Sequence, residues 1–443
     1  MQLNSLEFIF YFLPVFFLVY YLVPRQGRSV VLLAASLAYY GLNCWKKPWM
    51  LAVLVGMTCL TYLAGKRIAR KGGKGRLAFW LIAMTGLLAF FKLYRGGTLL
   101  PPGMSFYLFQ MAAFLIDVSR EGRLRETGFV DYASKMTMFP KLLSGPLVAP
   151  ETLEQQNACR SRPYPFYHWG IQQFILGLGM KVLVADRLGG VWSQAAVIGF
   201  ESLSTFGAWM ALLAYSLRLY LDFWGYSLMA LGLGKLIGFR LPENFDDPYA
   251  AKSVSEFYRR WHITLGNWFR EYVYIPMGGN RKGTLRTLLN LSFVWLLTGL
   301  WHGIGANYLL WAAILLFFIL NERLWLGKVL KKVPVLAHVY TVFVVLLSWV
   351  PFAIGDKRSM MLFLARLFGT GAHRATLHSF FVWGKQYVPY LIAGTALATP
   401  LPGLLWKKFR RTALADVLLF LLFWVIMYCL ATADQSPFLY FKY

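Results

Sequence analysis

Residues Leu6–Val23 read LEFIFYFLPVFFLVYYLV, an apolar run whose one charged member is Glu7. A helix needs about 20 mostly apolar residues to cross the roughly 30 Å hydrocarbon layer of a bilayer, and this run is of that order. No basic residue precedes it and no small-residue cleavage site follows it, so it reads as a retained span rather than a signal peptide. Working outward, similar windows recur at 29–45, 49–65, 77–94 and 104–118. Further ones fall at 170–186, 205–221, 287–302, 306–324, 337–354, 386–405 and 414–432. In hydrocarbon a backbone must satisfy its own polar groups, and helices do so within one segment. The expected fold is therefore all-α: a single integral membrane domain over 1–443, with about 11–13 transmembrane helices. Residues 130–150, 226–240 and 255–277 are too interrupted by Pro, Gly or charge to face lipid, and read as re-entrant or interfacial.

Composition supports this. Hydrophobic residues make up 58% of the chain and charged ones 14%, too apolar for an ordinary water-soluble domain. The formal charge of +26 comes from 45 Lys plus Arg against 19 Asp plus Glu. Because the excess sits in short connections between apolar windows, it points to membrane topology and not to nucleic acid. Lys66, Arg67, Arg70, Lys71, Lys74 and Arg76 crowd one loop, and Arg25 and Arg28 another, which places both on the cytoplasmic side and the N-terminus outside. Lys46 and Lys47 then fall outside, against the rule. Cys44, Cys59, Cys159 and Cys429 lack metal or disulfide spacing and read as packing residues. No internal repeat is visible, so an inverted-repeat transporter or a flippase for a lipid-linked saccharide lacks support.

Two polar stretches are informative because membrane burial makes polarity costly. Ser253–Arg281 reads SVSEFYRRWHITLGNWFREYVYIPMGGNR. At about 100° per residue, Phe257, Trp261, Leu265, Trp268, Phe269 and Tyr272 share one helical face, with His262 at its edge. Glu256, Arg259, Arg260, Asn267, Arg270 and Glu271 spread over the other face. That pattern fits an amphipathic helix at the headgroups. It fits equally an arginine clamp on an anionic acyl donor. Pro276-Met277-Gly278-Gly279-Asn280 then turns the chain.

The second stretch, Leu297-Thr298-Gly299-Leu300-Trp301-His302-Gly303, ends a span with an ionisable residue. His302 is either interfacial or functional, and Thr298, one turn earlier, could reach its ring or a bound hydroxyl. His168, His338, His373 and His378 sit in loop-like or span-end surroundings that suggest structural roles.

Arg260-Trp261-His262-Ile263-Thr264-Leu265, Trp268-Phe269-Arg270, Tyr274-Ile275-Pro276, Gly278-Gly279-Asn280-Arg281 and Gly299-Leu300-Trp301-His302-Gly303 together resemble, in order and spacing, the signature of the membrane-bound O-acyltransferase family. The likeness is to its bacterial branch that acetylates cell-surface polysaccharides such as alginate. It extends to Asn4-Ser5-Leu6-Glu7-Phe8, Pro102-Gly103-Met104-Ser105-Phe106-Tyr107 with Gln110 and Asp117, Phe139-Pro140, and Ser144-Gly145-Pro146. Phe223-Trp224-Gly225-Tyr226-Ser227, Gly238-Phe239, Pro242-Glu243-Asn244-Phe245 and Phe438-Leu439-Tyr440-Phe441 also match. Leu228 departs from the pattern, since relatives commonly carry an acidic residue there, and 355–385 carries none of the motifs on which the resemblance rests.

The resemblance implies a helical bundle with re-entrant or interfacial helices around a central tunnel, its signature core at roughly 215–325. It implies a catalytic His302, with His262 lining the same tunnel. Trp261, Asn267, Tyr274, Thr298 and Trp301 would line the substrate path, and Arg259, Arg260 and Arg270 would bind the donor. No metal or bound cofactor is implied; acetyl-CoA or another acyl thioester serves as cosubstrate. The implied setting is the bacterial inner (cytoplasmic) membrane, spanned many times, with the bilayer, a polysaccharide acceptor and a separate extracytoplasmic acyltransferase as partners, and no nucleic acid. Transfer of D-alanyl or longer acyl groups from a carrier protein is the alternative. The chemistry suits histidine: attack of a hydroxyl on a thioester needs a base near neutral pKa, worth about 10² to 10⁴ in rate. No Gly-x-Ser-x-Gly or nucleophile-like cysteine lies near these histidines, which disfavours a serine or cysteine acyl-enzyme. Direct transfer and an acyl group carried on His302 both remain open at this stage.

Overall fold

The apolar windows become helices because no other local structure pairs its own N–H and C=O groups in lipid. A computed structural model describes residues 1–122, 124, 128–148, 163–370, 377–432 and 438, with the side chains of 95–96 and 377–384 outside that description. Cys159, His373, the His378 side chain and residues 439–441 lie outside the described residues. Among the described residues, five helices are long and apolar enough to cross a membrane: Trp49–Lys71, Lys74–Leu93, Ala306–Leu330, Pro334–Ala353 and Ala413–Thr432. Lys385–Leu397 and Leu401–Phe409, bent by 72°, make a sixth if counted as one span. That is fewer than hydropathy windows suggest. The other windows are also helical, but several are short or broken by π-helical turns, as at Phe8–Phe12 and Met180–Ala185. Ala413–Thr432 exposes Leu414, Phe420, Leu421, Trp424 and Tyr428, a face suited to acyl chains and not to water.

The contacts sort into two compact units. The first comprises 1–178, 226–243 and 430–442. Its core starts from the i, i+4 spacing of Phe8, Phe12 and Phe16, which sets three rings on one face. All three pack edge-on against Phe139, at centroid distances of 6.1, 5.3 and 5.1 Å. The Phe139 amide donates to Ser36 Oγ at 3.1 Å, so the expected irregular stretch is tied down by a side chain. Tyr132 through Val148 are buried throughout, which keeps this segment from lipid. Lys141, fully buried, hydrogen-bonds Gln110 Oε1 there.

Residues 226–240 correct the sequence reading. Up to Ile237 they belong to one unbroken helix, Thr205–Ile237 (α1), whose residues are shared between the units. Its glycines serve packing: a Cβ at Gly232 would stand 2.5 Å from the Gly170 carbonyl oxygen. Glycine permits two backbones to approach where any side chain would clash.

The second unit comprises 179–225 and 244–429. Lys181 is wholly buried and donates to Asp222 at 2.6 Å and Asp186 at 2.8 Å. Removing one partner from such a group leaves an uncompensated charge, at a cost of about 3–5 kcal/mol. The helices that carry the candidate site all lie in this unit: Val254–Arg260 (α2), Ile263–Phe269 (α3), Gly283–His302 (α4), Ala306–Asn321 (α5) and Pro334–Ala353 (α6).

Candidate functional site

Periodicity predicts one amphipathic helix through 256–272, ended by the Pro276–Asn280 turn, but the chain breaks it earlier. Asn244–Asp246 runs antiparallel to Arg260–Ile263: the Asp246 amide donates to the Arg260 carbonyl at 3.0 Å, and the Ile263 amide to the Asn244 carbonyl at 2.9 Å. Phe245 and Trp261 form the bridge, the one β contact among the described residues. Trp261 is extended, and His262 adopts the left-handed conformation at φ 47° and ψ 51° before α3 restarts. A non-glycine residue there costs about 1–3 kcal/mol and persists only where its surroundings hold it.

Three groups do the holding. Ser253 caps α2 by accepting the Glu256 amide at 3.0 Å. Glu322, just past α5, accepts the amides of Val254 and Ser255 at 2.6 and 2.9 Å and the Ser255 hydroxyl at 2.6 Å. A buried carboxylate on the first amides of a helix satisfies donors that have no partner within it. Asn244 completes the set. Its Oδ1 accepts the Thr264 hydroxyl at 2.7 Å and the Thr264 amide at 3.3 Å, and lies 3.2 Å from His262 Nδ1.

His262 is therefore buried, 4% exposed, and not at the edge of an aromatic face as its spacing suggests. Its turn lies outside the membrane-spanning helices, and burial pushes its pKa down to about 3, so the ring is neutral. It meets Phe223 of α1 edge-on at 4.7 Å and faces Trp301 at 6.1 Å. Trp261 stacks on Phe257 at 5.4 Å and packs against Tyr220 and Trp349.

His302 is the last residue of α4 and is also buried. Trp301, Trp311 and Phe352 surround its ring at centroid distances of 4.5, 4.8 and 5.0 Å. The glycines at 299 and 303 explain how it is pressed into place. A Cβ at Gly299 would lie 3.0 Å from the Ala312 Cβ, and one at Gly303 would stand 2.5 Å from the Tyr308 ring. Both positions let the end of α4 lie close against α5. His262 and His302 thus share a neighbour, the Trp301 indole. Close by, Asn244 Nδ2, Tyr220 Oη and Trp311 Nε1 are buried with no hydrogen-bond partner among the described residues. Buried polar atoms of this kind are normally satisfied, so each of the three is able to bond a polar molecule.

The geometry thus brings together His262, His302, Trp261 and Trp301, with Tyr274 half-buried beside Gly279. The expected arginine clamp is not assembled, because the break separates its members. Arg259 is exposed, Arg260 is paired with Glu256 at 2.8 Å and Asp246 at 3.9 Å, and exposed Arg270 pairs with Glu271 at 3.1 Å. Asn267 is exposed as well. Thr298 does not donate to His302: its hydroxyl donates to the Val294 carbonyl of its own helix at 2.8 Å. Sequence reasoning gave no role to Asn244, Glu322, Phe223 or Trp311. For Glu322 one signal existed, a carboxylate at the end of an apolar window. Among the described residues, no group of three His, Cys, Asp or Glu side chains could hold a metal ion.

Comparison with known proteins agrees with this architecture. The sequence model of the membrane-bound O-acyltransferase family matches residues 44–364, and the chain belongs to that family. It is a multi-pass bacterial membrane protein and an O-acyltransferase. It is 33% identical, over an alignment of 496 positions covering all of both chains, to the protein named "probable alginate O-acetylase AlgI" of Pseudomonas putida. The protein of the same name from Pseudomonas aeruginosa is 35% identical over 378 positions, covering 80% of this chain and 72% of its own. The peptidoglycan O-acetyltransferase of Helicobacter pylori is 32% identical over 366 positions, covering 70% and 68%.

Proposed function

We propose that this protein moves an acetyl group from a cytoplasmic thioester, acetyl-CoA being the simplest, toward hydroxyls of a cell-surface polysaccharide, and that it resides in the inner membrane. The observation that carries this reading is the pair of buried imidazoles that meet at Trp301 within a family of O-acyltransferases. The names of the relatives support an acceptor among envelope polysaccharides and acetyl as the acyl group.

In this reading His302 is the reacting imidazole. It takes the proton of the attacking hydroxyl as that oxygen bonds the carbonyl carbon. The C–S bond then breaks, and the departing thiolate takes up the proton. Burial among Trp301, Trp311 and Phe352 excludes bulk water that would otherwise hydrolyse the thioester. The basic loop over 66–76 lies on the donor's side and draws in its phosphates.

The test uses purified protein in lipid nanodiscs with radiolabelled acetyl-CoA, reading both thiol release and label on an acceptor saccharide. Acetyl transfer that falls by about 10² to 10⁴ in folded His302→Ala supports the reading. A folded His302→Ala with full activity removes His302 from the chemistry. Discharge of a carrier-protein thioester with acetyl-CoA ignored replaces the donor, and saccharide movement across proteoliposomes without thiol release replaces the function.

A further inference from the structure

Three roles are open to His262 once it lies beside Trp301: orienting the donor, polarising the donor carbonyl by giving it a hydrogen bond, or accepting a hydrogen bond. The hydrogen-bond network around Asn244 distinguishes the last two. A backbone amide can only donate. The Thr264 amide points at one atom of the Asn244 carboxamide, so that atom is the oxygen and not the nitrogen. The Thr264 hydroxyl reaches the same oxygen at 2.7 Å. His262 Nδ1, 3.2 Å away, therefore faces an acceptor, and to hydrogen-bond it must carry the ring's proton. Flipping the carboxamide would set its NH₂ group against the Thr264 amide, donor to donor. A neutral imidazole has one N–H, so a proton on Nδ1 leaves a lone pair on Nε2.

From this geometry we infer that Asn244 is a positioning residue: it holds His262 with its proton on Nδ1, so that Nε2 accepts a hydrogen bond from a hydroxyl of the acceptor neighbouring the one that reacts at His302, instead of donating one to the thioester carbonyl. The inference rests on the reading of the His262–His302 pair given above, and it assigns the hydroxyl acceptor, not the thioester, to the His262 side. The backbone supports the same role. The Asn244 carbonyl takes the Ile263 amide, so one residue fixes both the left-handed turn and the ring it presents.

Nitrogen NMR of ¹⁵N-histidine-labelled protein in nanodiscs tests this, with the His262 signal assigned by its loss in His262→Gln. The expected wild-type spectrum has a protonated Nδ1 and a bare Nε2. Asn244→Ala is expected to shift the tautomer ratio by about tenfold, the worth of one hydrogen bond. The same variant raises KM for the hydroxyl acceptor and leaves KM for the thioester unchanged, while Asn244→Asp, which keeps the acceptor oxygen, restores the Nδ1–H form. A wild-type spectrum with the proton on Nε2 overturns the inference, as does an Asn244→Ala protein whose tautomer does not move. If Asn244→Ala does not fold, the wild-type and Asn244→Asp spectra still decide. Because the spectrum is read without turnover, its outcome is independent of whether His302→Ala abolishes transfer.

Discussion

The two histidines of this site are held by opposite means. His262 sits on a broken helix, its backbone strained into the left-handed region and its ring set by the Asn244 carboxamide. His302 ends an unbroken helix and is caged by three aromatic rings. Hydrogen bonds fix where a proton resides, whereas ring packing fixes where a ring lies. The difference suits the proposed chemistry, in which one imidazole presents a fixed lone pair and the other gains and loses a proton.

The comparison is broken most severely from the polar side. Glu322→Ala removes the acceptor for two amides and a hydroxyl at the start of α2. Each buried donor left unsatisfied costs about 1–3 kcal/mol, so thermal unfolding in detergent is expected to drop and transfer to fall with it. Glu322→Gln, which retains one acceptor oxygen, is expected to lie between. Unchanged melting and activity in Glu322→Ala would mean that α2 needs no such anchor.

Acidification sharpens the comparison with a smaller effect. Burial holds His262 at about 3, below the ordinary 6.5. The unfolded chain then takes up a proton that the folded site refuses. Stability from this residue is complete above about pH 6.5 and is lost as pH falls toward 3. Melting curves recorded down that range are expected to decline more in wild type than in His262→Gln, and equal slopes would contradict a neutral buried ring.

The smallest effect is expected beside His302. The Thr298 hydroxyl donates to its own helix, so Thr298→Val is expected to change stability by no more than about 0.5 kcal/mol and leave transfer rates near wild type. A large rate loss would place that hydroxyl against the substrate after all.

Much of this was legible in the residues. Apolar windows announced the helices because lipid leaves few other structures, and both histidines stood out because polarity at membrane depth is costly. The break at Trp261–His262 was hidden because a periodicity argument sees only side chains within one segment. The Asn244–Asp246 backbone that interrupts the helix comes from well before it. For the same reason the arginines seemed to form one row, although Arg260 and Arg270 lie on opposite sides of the break. Gly232 read as an interruption, yet in α1 it is a contact point, and sequence does not reveal which neighbour a glycine will meet.

The anchoring of α2 by Glu322 also has a consequence for biogenesis. Val254 leaves the ribosome 68 residues ahead of the carboxylate that will hold it. Until the segment after Ala306–Asn321 has been translated and inserted, the turn bearing His262 lacks its clamp. That turn is therefore completed late in synthesis, and a nascent chain arrested before position 322 carries both histidines without the carboxylate that anchors α2.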